Sequence, residues 1–140
     1  AIFCSLSILG GKKGFLTIVL YIILGAIGLP VFSGFSGGIG HLLGATGGYI
    51  LGFILTALVY FIVTRLLVNS SRAKAVGLFA GLLACYAFGT FWYTSVYLKE
   101  STVQTFVSSL SICVLPFVIP DSIKIWVALL IEKKVSPIIK

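Results

Sequence analysis

Charged side chains are scarce in this chain of 140 residues: Asp, Glu, Lys and Arg together make up 9% of the sequence. A water-soluble domain carries about a quarter of such residues, so a soluble globule is excluded, because too few polar groups are present to cover its surface. The hydrophobic content of 59% also excludes an intrinsically disordered chain. The composition therefore predicts an integral membrane protein.

Histidine, acids and paired cysteines are equally scarce, with one His, three Asp and Glu residues and three cysteines in the whole chain. Cys4, Cys85 and Cys113 lie far apart within apolar runs, which indicates buried hydrophobic side chains and no disulfide framework. An enzyme would need an acid–base or metal constellation, which these residues do not supply. We therefore predict no enzyme activity, no metal and no cofactor.

The few charges divide the chain into apolar stretches, since residues 14–64, 75–98 and 101–120 contain none. A spanning helix needs roughly 20 apolar residues, so the first stretch accommodates two helices and a Pro- and Gly-rich connection. The sequence predicts an all-α, polytopic membrane helical bundle with about five spanning helices. The predicted spans are a partial helix at about 1–11 and helices at about 14–29, 46–67, 74–98 and 121–134.

Segment 102–115 differs from these spans, because its apolar residues follow helical spacing with Ser, Thr and Gln between them. Pro116 and Pro120 then end the pattern. We expect a short amphipathic helix along the membrane interface, and a last helix that begins behind Pro120.

The N-terminal segment is too short for a complete span. About eleven residues, or roughly 16 Å of helix, precede a predicted turn at Gly10-Gly11-Lys12-Lys13, which is half of the hydrocarbon thickness. The chain also contains no methionine. We therefore expect a further apolar helix upstream of residue 1.

Positive charge is unevenly distributed over the predicted loops, and the positive-inside rule assigns the richer side to the cytoplasm. The other side, with the glycine-rich loop at residues 30–45, then faces outward and carries only Lys99 and Lys124. This charge pattern is a topology signal, and no basic stripe with interleaved aromatic residues indicates a nucleic-acid partner. The cytoplasmic cations are Lys12, Lys13, Arg65, Arg72, Lys74, Lys133, Lys134 and Lys140.

Two groups of residues stand out as candidates for ligand binding. The glycine cluster at 34–47 is denser than helix packing requires, and irregular backbone at membrane depth lines cavities or is buried. By contrast, Gly48, Gly52, Gly77 and Gly81 have the small-xxx-small spacing of close helix contacts.

The second group is the pair Asp121 and Lys124, which share one helix face at i,i+3 spacing. Glu132 marks the inner end of this helix, and roughly 16 Å of helix separates it from Asp121. Asp121 is therefore at membrane depth. A ligand-binding pair is one interpretation. A helix cap with an internal ion pair or a snorkelling Lys124 is the other. The aromatic residues between Tyr86 and Tyr97 likewise fit either an interfacial belt or a pocket wall.

Several motifs resemble those of the BioY family, the substrate-binding S components of energy-coupling-factor (ECF) biotin transporters. They are Gly-Ala-Ile-Gly-Leu-Pro-Val-Phe at 25–32, the segment 44–53 behind the glycine-rich loop, Gly-Thr-Phe-Trp at 89–92 and Pro-Asp-Ser-Ile-Lys at 120–124. They occur in the family's order, and the similarity spans the whole chain. Ala45 departs from the pattern, because the family usually has proline there.

The resemblance implies six helices with both termini in the cytoplasm, the first helix being absent here, in the cytoplasmic membrane of a prokaryote. It further implies an outward-facing biotin pocket, with the lipid bilayer, an ECF T component and ATPase subunits as partners, or solitary transport. Another vitamin, riboflavin or thiamine, on the same scaffold is the alternative.

Biotin's chemistry suggests a role for each candidate residue. A carboxylate such as Asp121 suits the ureido ring, a cation such as Lys124 suits the tail carboxylate, and aromatic side chains suit the apolar parts. Which end of biotin meets Asp121 stays open. The predicted substrate-binding residues are Asp121, Lys124, Phe32, Ser33, Gly37, Gly38, Thr46, Tyr49 and Trp92.

Overall fold

The computed structural model describes residues 2–68, 70–99 and 102–139, and within these residues it contains helices and no β-strand. The predicted all-α membrane bundle is therefore confirmed. The elements are α1 (Ile2–Ile27), α2 (Ile39–Leu43), α3 (Gly47–Leu66), α4 (Ser71–Trp92) with a π-helical continuation (Tyr93–Tyr97), α5 (Val103–Cys113) and α6 (Leu115–Ile139).

Gly10 divides α1 into two arms, because its φ of 79° and ψ of 173° are not helical and favour a residue without a Cβ. A Cβ placed on Gly14 would lie 2.9 Å from the Cα of Leu6, although these residues would be about 12 Å apart in a continuous helix. The arm at 2–9 therefore folds back along the second arm. This helical hairpin turns where the sequence predicted a turn.

Helices α3 and α4 form the closest pair in the bundle, and glycines on both helices make the approach possible. A Cβ on Gly52 would lie 2.8 Å from the Sγ of Cys85, and one on Gly81 would lie 2.8 Å from the carbonyl oxygen of Thr56. The hydroxyl of Thr56 donates to the carbonyls of Gly81 (3.0 Å) and Gly52 (3.2 Å). The predicted small-residue contact is thus confirmed.

Helix α6 begins at Leu115 and continues through Pro120, which corrects the predicted start behind that proline. Pro116 lies in the first turn, where backbone N–H groups have no helical acceptor, whereas Pro120 removes a hydrogen bond inside the helix. The bend lies earlier, because α5 and α6 meet at an angle of 50°. Asp121 consequently lies in the second turn of α6, which argues against its being a helix cap.

Three helices in the described ranges are long and apolar enough to span a membrane, namely Ile2–Ile27, Gly47–Leu66 and Ser71–Tyr97, or four if the bent α5–α6 pair is one span. The predicted count of about five differs because it treats the two arms of α1 as separate spans. Large apolar side chains such as Leu16 and Leu83 are exposed, as lipid-facing residues are. The chain is a multi-pass membrane protein.

An ion pair connects the first turn of α4 with the C-terminal half of α6. The Nζ of Lys74 lies 2.5 Å from the Oε1 of Glu132, with side chains that are 17% and 10% exposed. Because both charges are largely removed from solvent, each needs the other to remain ionised at low energetic cost.

Candidate functional site

The centre of the candidate site is a hydrogen-bonded group that we call the Tyr86–Asp121–Lys124 triad. The hydroxyl of Tyr86 on α4 donates to the Oδ2 of Asp121 at 2.5 Å, and the ammonium of Lys124 donates to its Oδ1 at 2.7 Å. The side chain of Asp121 is 16% exposed, whereas that of Lys124 is 62% exposed. The triad therefore presents a partly exposed cation on a largely buried carboxylate.

Tyr86 was not among the predicted site residues. It belongs to the aromatic group that fitted either an interfacial belt or a pocket wall, and the structure buries it to 8% exposure against α6. No local pattern distinguishes it from Tyr93 or Tyr97, since its role follows from the pairing of α4 with α6. Only the need of Asp121 for a donor at membrane depth pointed to such a partner.

Tyr49 and Thr90 form a second polar contact, between α3 and α4. The Tyr49 hydroxyl lies 3.2 Å from the Oγ1 of Thr90, which is fully buried. The Tyr49 ring packs on Gly89, where a Cβ would overlap it. Helices α3 and α4 thus meet at Tyr49.

Trp92 attaches the glycine-rich loop to α4. Its Nε1 donates to the carbonyl of Gly44 at 3.2 Å, and its Cβ occupies the space above Gly48. Thr46 follows in the loop as the residue before α3, and its carbonyl accepts from the N–H groups of Tyr49 and Ile50, each at 3.1 Å. Thr46 itself is exposed.

Phe32 anchors the glycine-rich loop to α1. Its ring is 5% exposed, covers Gly25 and meets Tyr21 edge-on with ring centroids 5.7 Å apart. Its backbone N–H donates to the carbonyl of Ser36 at 3.0 Å. Phe32 therefore packs in the core, and the interpretation of its ring as a pocket wall is not favoured by this burial.

The remaining loop candidates shape the backbone. Gly38 has a φ of 99°, a conformation that L side chains rarely adopt, and its N–H donates to the carbonyl of Gly25 at 2.6 Å. Gly37 lies directly against the backbone of Leu29, where a Cβ would overlap. Ser33 is exposed, and its carbonyl accepts from the hydroxyl of Ser36 at 2.8 Å.

A cavity of about 370 Å³ lies between α5 and the π-helical turn. None of the nine predicted site residues lines it. Its lining is uncharged and rich in hydroxyl groups. The lining residues are Tyr93, Leu98, Thr102, Gln104, Thr105, Ser108, Ser109, Ile112 and Cys113.

The contacts thus divide the predicted residues into three groups. Asp121 and Lys124 belong to the triad, and Tyr49, Thr46 and Trp92 lie at the α3–α4 junction, whereas the loop residues pack towards α1. Within the described chain, no group of three His, Cys, Asp or Glu side chains is arranged to hold a metal ion.

Comparisons with known proteins agree with one another. The family model of the BioY family matches residues 1–140. The probable biotin transporter BioY of Pyrococcus horikoshii is 37% identical over 129 residues, covering 92% of this chain and 72% of the relative. The biotin transporter BioY of Thermotoga maritima is 38% identical over 135 residues, covering 96% and 76%.

A solved structure shows the same fold. It is the crystal structure at 2.1 Å of the S-component for biotin from an ECF-type ABC transporter, with a TM-score of 0.80 and 23% sequence identity. The match covers 97% of this chain and 71% of that chain.

Proposed function

Because the chain belongs to the BioY family, we propose that it binds biotin and serves in biotin uptake as a substrate-binding component, not as an enzyme. The observation that carries this proposal is the triad, which places one partly exposed cation beside aromatic side chains within an apolar bundle. An anionic vitamin with an apolar body matches that arrangement.

Lys124 is the proposed partner of the biotin carboxylate. An ammonium group has three N–H donors, and one of them is used on Asp121. The others remain for a ligand, because the side chain is 62% exposed. A hydrogen bond between charged groups contributes about 1.5–3 kcal/mol, which corresponds to roughly a 10- to 150-fold gain in affinity.

The uncharged cavity beneath α5 extends the proposed pocket. Its volume of about 370 Å³ lies within the usual range for small-molecule sites, roughly 300–1,000 Å³. Hydroxyl and amide side chains supply donors and acceptors without net charge, as a ureido ring requires. Thr46, Tyr49 and Trp92 at the α3–α4 junction, and Phe32, Ser33, Gly37 and Gly38 in the loop, stay in the proposal as supporting residues.

The proposed location is the cytoplasmic membrane, with the triad towards the outer face and the cation-rich loops inside. The proposed partners, besides the lipid bilayer, are a T component and ATPase subunits of an ECF transporter. The matched S-component fold supports this assembly. Uptake by the chain without an ATPase is the alternative, and transport into proteoliposomes with and without these subunits distinguishes the two.

Equilibrium binding of labelled biotin to the purified protein tests the function. We expect unlabelled biotin to compete, whereas riboflavin and thiamine at the same concentrations should not. Lys124→Ala should weaken biotin binding roughly 10- to 150-fold. Lys99→Ala is the matched control, since it removes another exposed cation on the same side. Displacement by riboflavin or thiamine, with biotin ineffective, would reassign the vitamin.

A further inference from the structure

We infer that Tyr86 is a positioning residue for ligand recognition: its hydroxyl fixes the Asp121 carboxylate, which holds the Lys124 ammonium in place for the carboxylate of the ligand. The inference rests on the proposed function and adds to it a residue on another helix that is expected to control selectivity for an anionic ligand.

The geometry of the triad indicates that Tyr86 on α4 positions Lys124 through Asp121. Tyr86 is 8% exposed, so its ring has little freedom, and its hydroxyl reaches Asp121 Oδ2 at 2.5 Å. Lys124 is 62% exposed and has a flexible stem whose rotamers are costly to restrict. Its contact with Asp121 Oδ1 at 2.7 Å restricts it before a ligand arrives, which lowers the entropic cost of binding.

The role of Asp121 follows from the same contacts. Each of its carboxylate oxygens already accepts a hydrogen bond from the protein, and its side chain is 16% exposed. Asp121 is therefore engaged by protein donors on both sides, whereas Lys124 retains donors that face out of the bundle. The ligand carboxylate is therefore assigned to Lys124, whose free donors can reach it.

The test uses two ligands that differ only in charge, biotin and biotinamide, and measures their affinities for the full chain in detergent. Tyr86→Phe keeps the ring and removes the hydroxyl. We expect it to weaken biotin binding roughly 5- to 30-fold, because the ammonium is less well held, and to change biotinamide binding by less than about 2-fold. Biotinamide thus reports the integrity of the fold in the same sample.

Tyr60→Phe is the matched control. Tyr60 is also buried, at 1% exposure, but its hydroxyl has no hydrogen-bond partner among the described residues. Its removal should leave the ratio of the two affinities unchanged. A double variant, Tyr86→Phe with Lys124→Ala, tests whether the two residues act in series. If they do, it should bind biotin no more weakly than Lys124→Ala alone.

Two results would overturn the inference. One is an equal loss of biotin and biotinamide affinity in Tyr86→Phe, which is what a purely structural tyrosine predicts. The other is a loss in the double variant equal to the product of the single losses. A wild-type protein that binds neither ligand would instead refute the proposed function.

Discussion

Replacing Gly81 by alanine should separate α3 from α4. The added Cβ would lie 2.8 Å from the carbonyl oxygen of Thr56, 2.9 Å from its Cγ2 and 3.0 Å from its Cα. Since two of these atoms belong to the backbone, rotation of one side chain cannot relieve the overlap. Overpacking of this kind costs about 1–3 kcal/mol, and a displaced α3 also weakens the 3.0 Å bond from Thr56 to the Gly81 carbonyl, worth about 0.5–1.5 kcal/mol.

The better helix propensity of alanine recovers about 1 kcal/mol, so we expect a net destabilisation of about 2 kcal/mol. Reversible unfolding with SDS in mixed micelles, followed by circular dichroism, measures this difference. Gly77→Ala is the control on the same helix, because its Cβ would lie 3.1 Å from the Cδ2 of Tyr60 and 3.4 Å from the nearest backbone atom, which is an ordinary van der Waals distance. It should be nearly neutral. Equal destabilisation by the two variants would refute the packing argument.

Three further predictions concern the ion pair, the topology and the loop. Glu132→Gln should destabilise the protein by about 3–5 kcal/mol, because it leaves Lys74 largely buried without its partner. The exchanged pair, Lys74→Glu with Glu132→Lys, should recover most of the lost stability in the same SDS titration. If the exchanged pair recovers no stability, the two side chains are not in direct contact. In a cysteine-free background in intact cells, an impermeant maleimide should label Ser36→Cys but not Ser71→Cys, and the reverse pattern would invert the topology. Gly38→Ala should lower the stability of the protein by about 1–3 kcal/mol, because a φ of 99° is strained for alanine. Gly40→Ala is the control, because a Cβ at this position has open space around it. Equal SDS midpoints for the two variants would contradict the strain argument.

The parts of the fold that the sequence predicted correctly depend on residues with a local meaning. Gly10 marks a turn because few residues adopt its conformation. The spacing of Gly48 with Gly52, and of Gly77 with Gly81, indicates a close helix contact whatever surrounds it. Pro120 shows the limit of such reasoning. A proline removes only one helical hydrogen bond, and α6 continues beyond Pro120 to Ile139.

The candidate site was predictable to a smaller extent. Asp121 and Lys124 were singled out because charges are rare at membrane depth. Their i,i+3 spacing left either a ligand-binding pair or an internal ion pair open, and the structure shows the ion pair. Tyr86 could not be predicted, since it lies 35 residues away and its neighbours depend on how α4 packs on α6. The burial of Phe32 is similar, because the direction of a loop side chain is set by the helix on which the loop folds.

The pairing of Asp121 with Lys124 has an electrical consequence. The two side chains cancel each other's charge, so the empty site adds none to the membrane interior. A bound biotin anion adds one negative charge at that depth. In a cell that is negative inside, moving this charge inward costs about 2.3 kcal/mol per 100 mV crossed. We expect an inside-negative potassium diffusion potential to slow the uptake of biotin, and not of biotinamide, into proteoliposomes. Net accumulation of biotin against this potential must therefore draw on ATP or on a large concentration gradient.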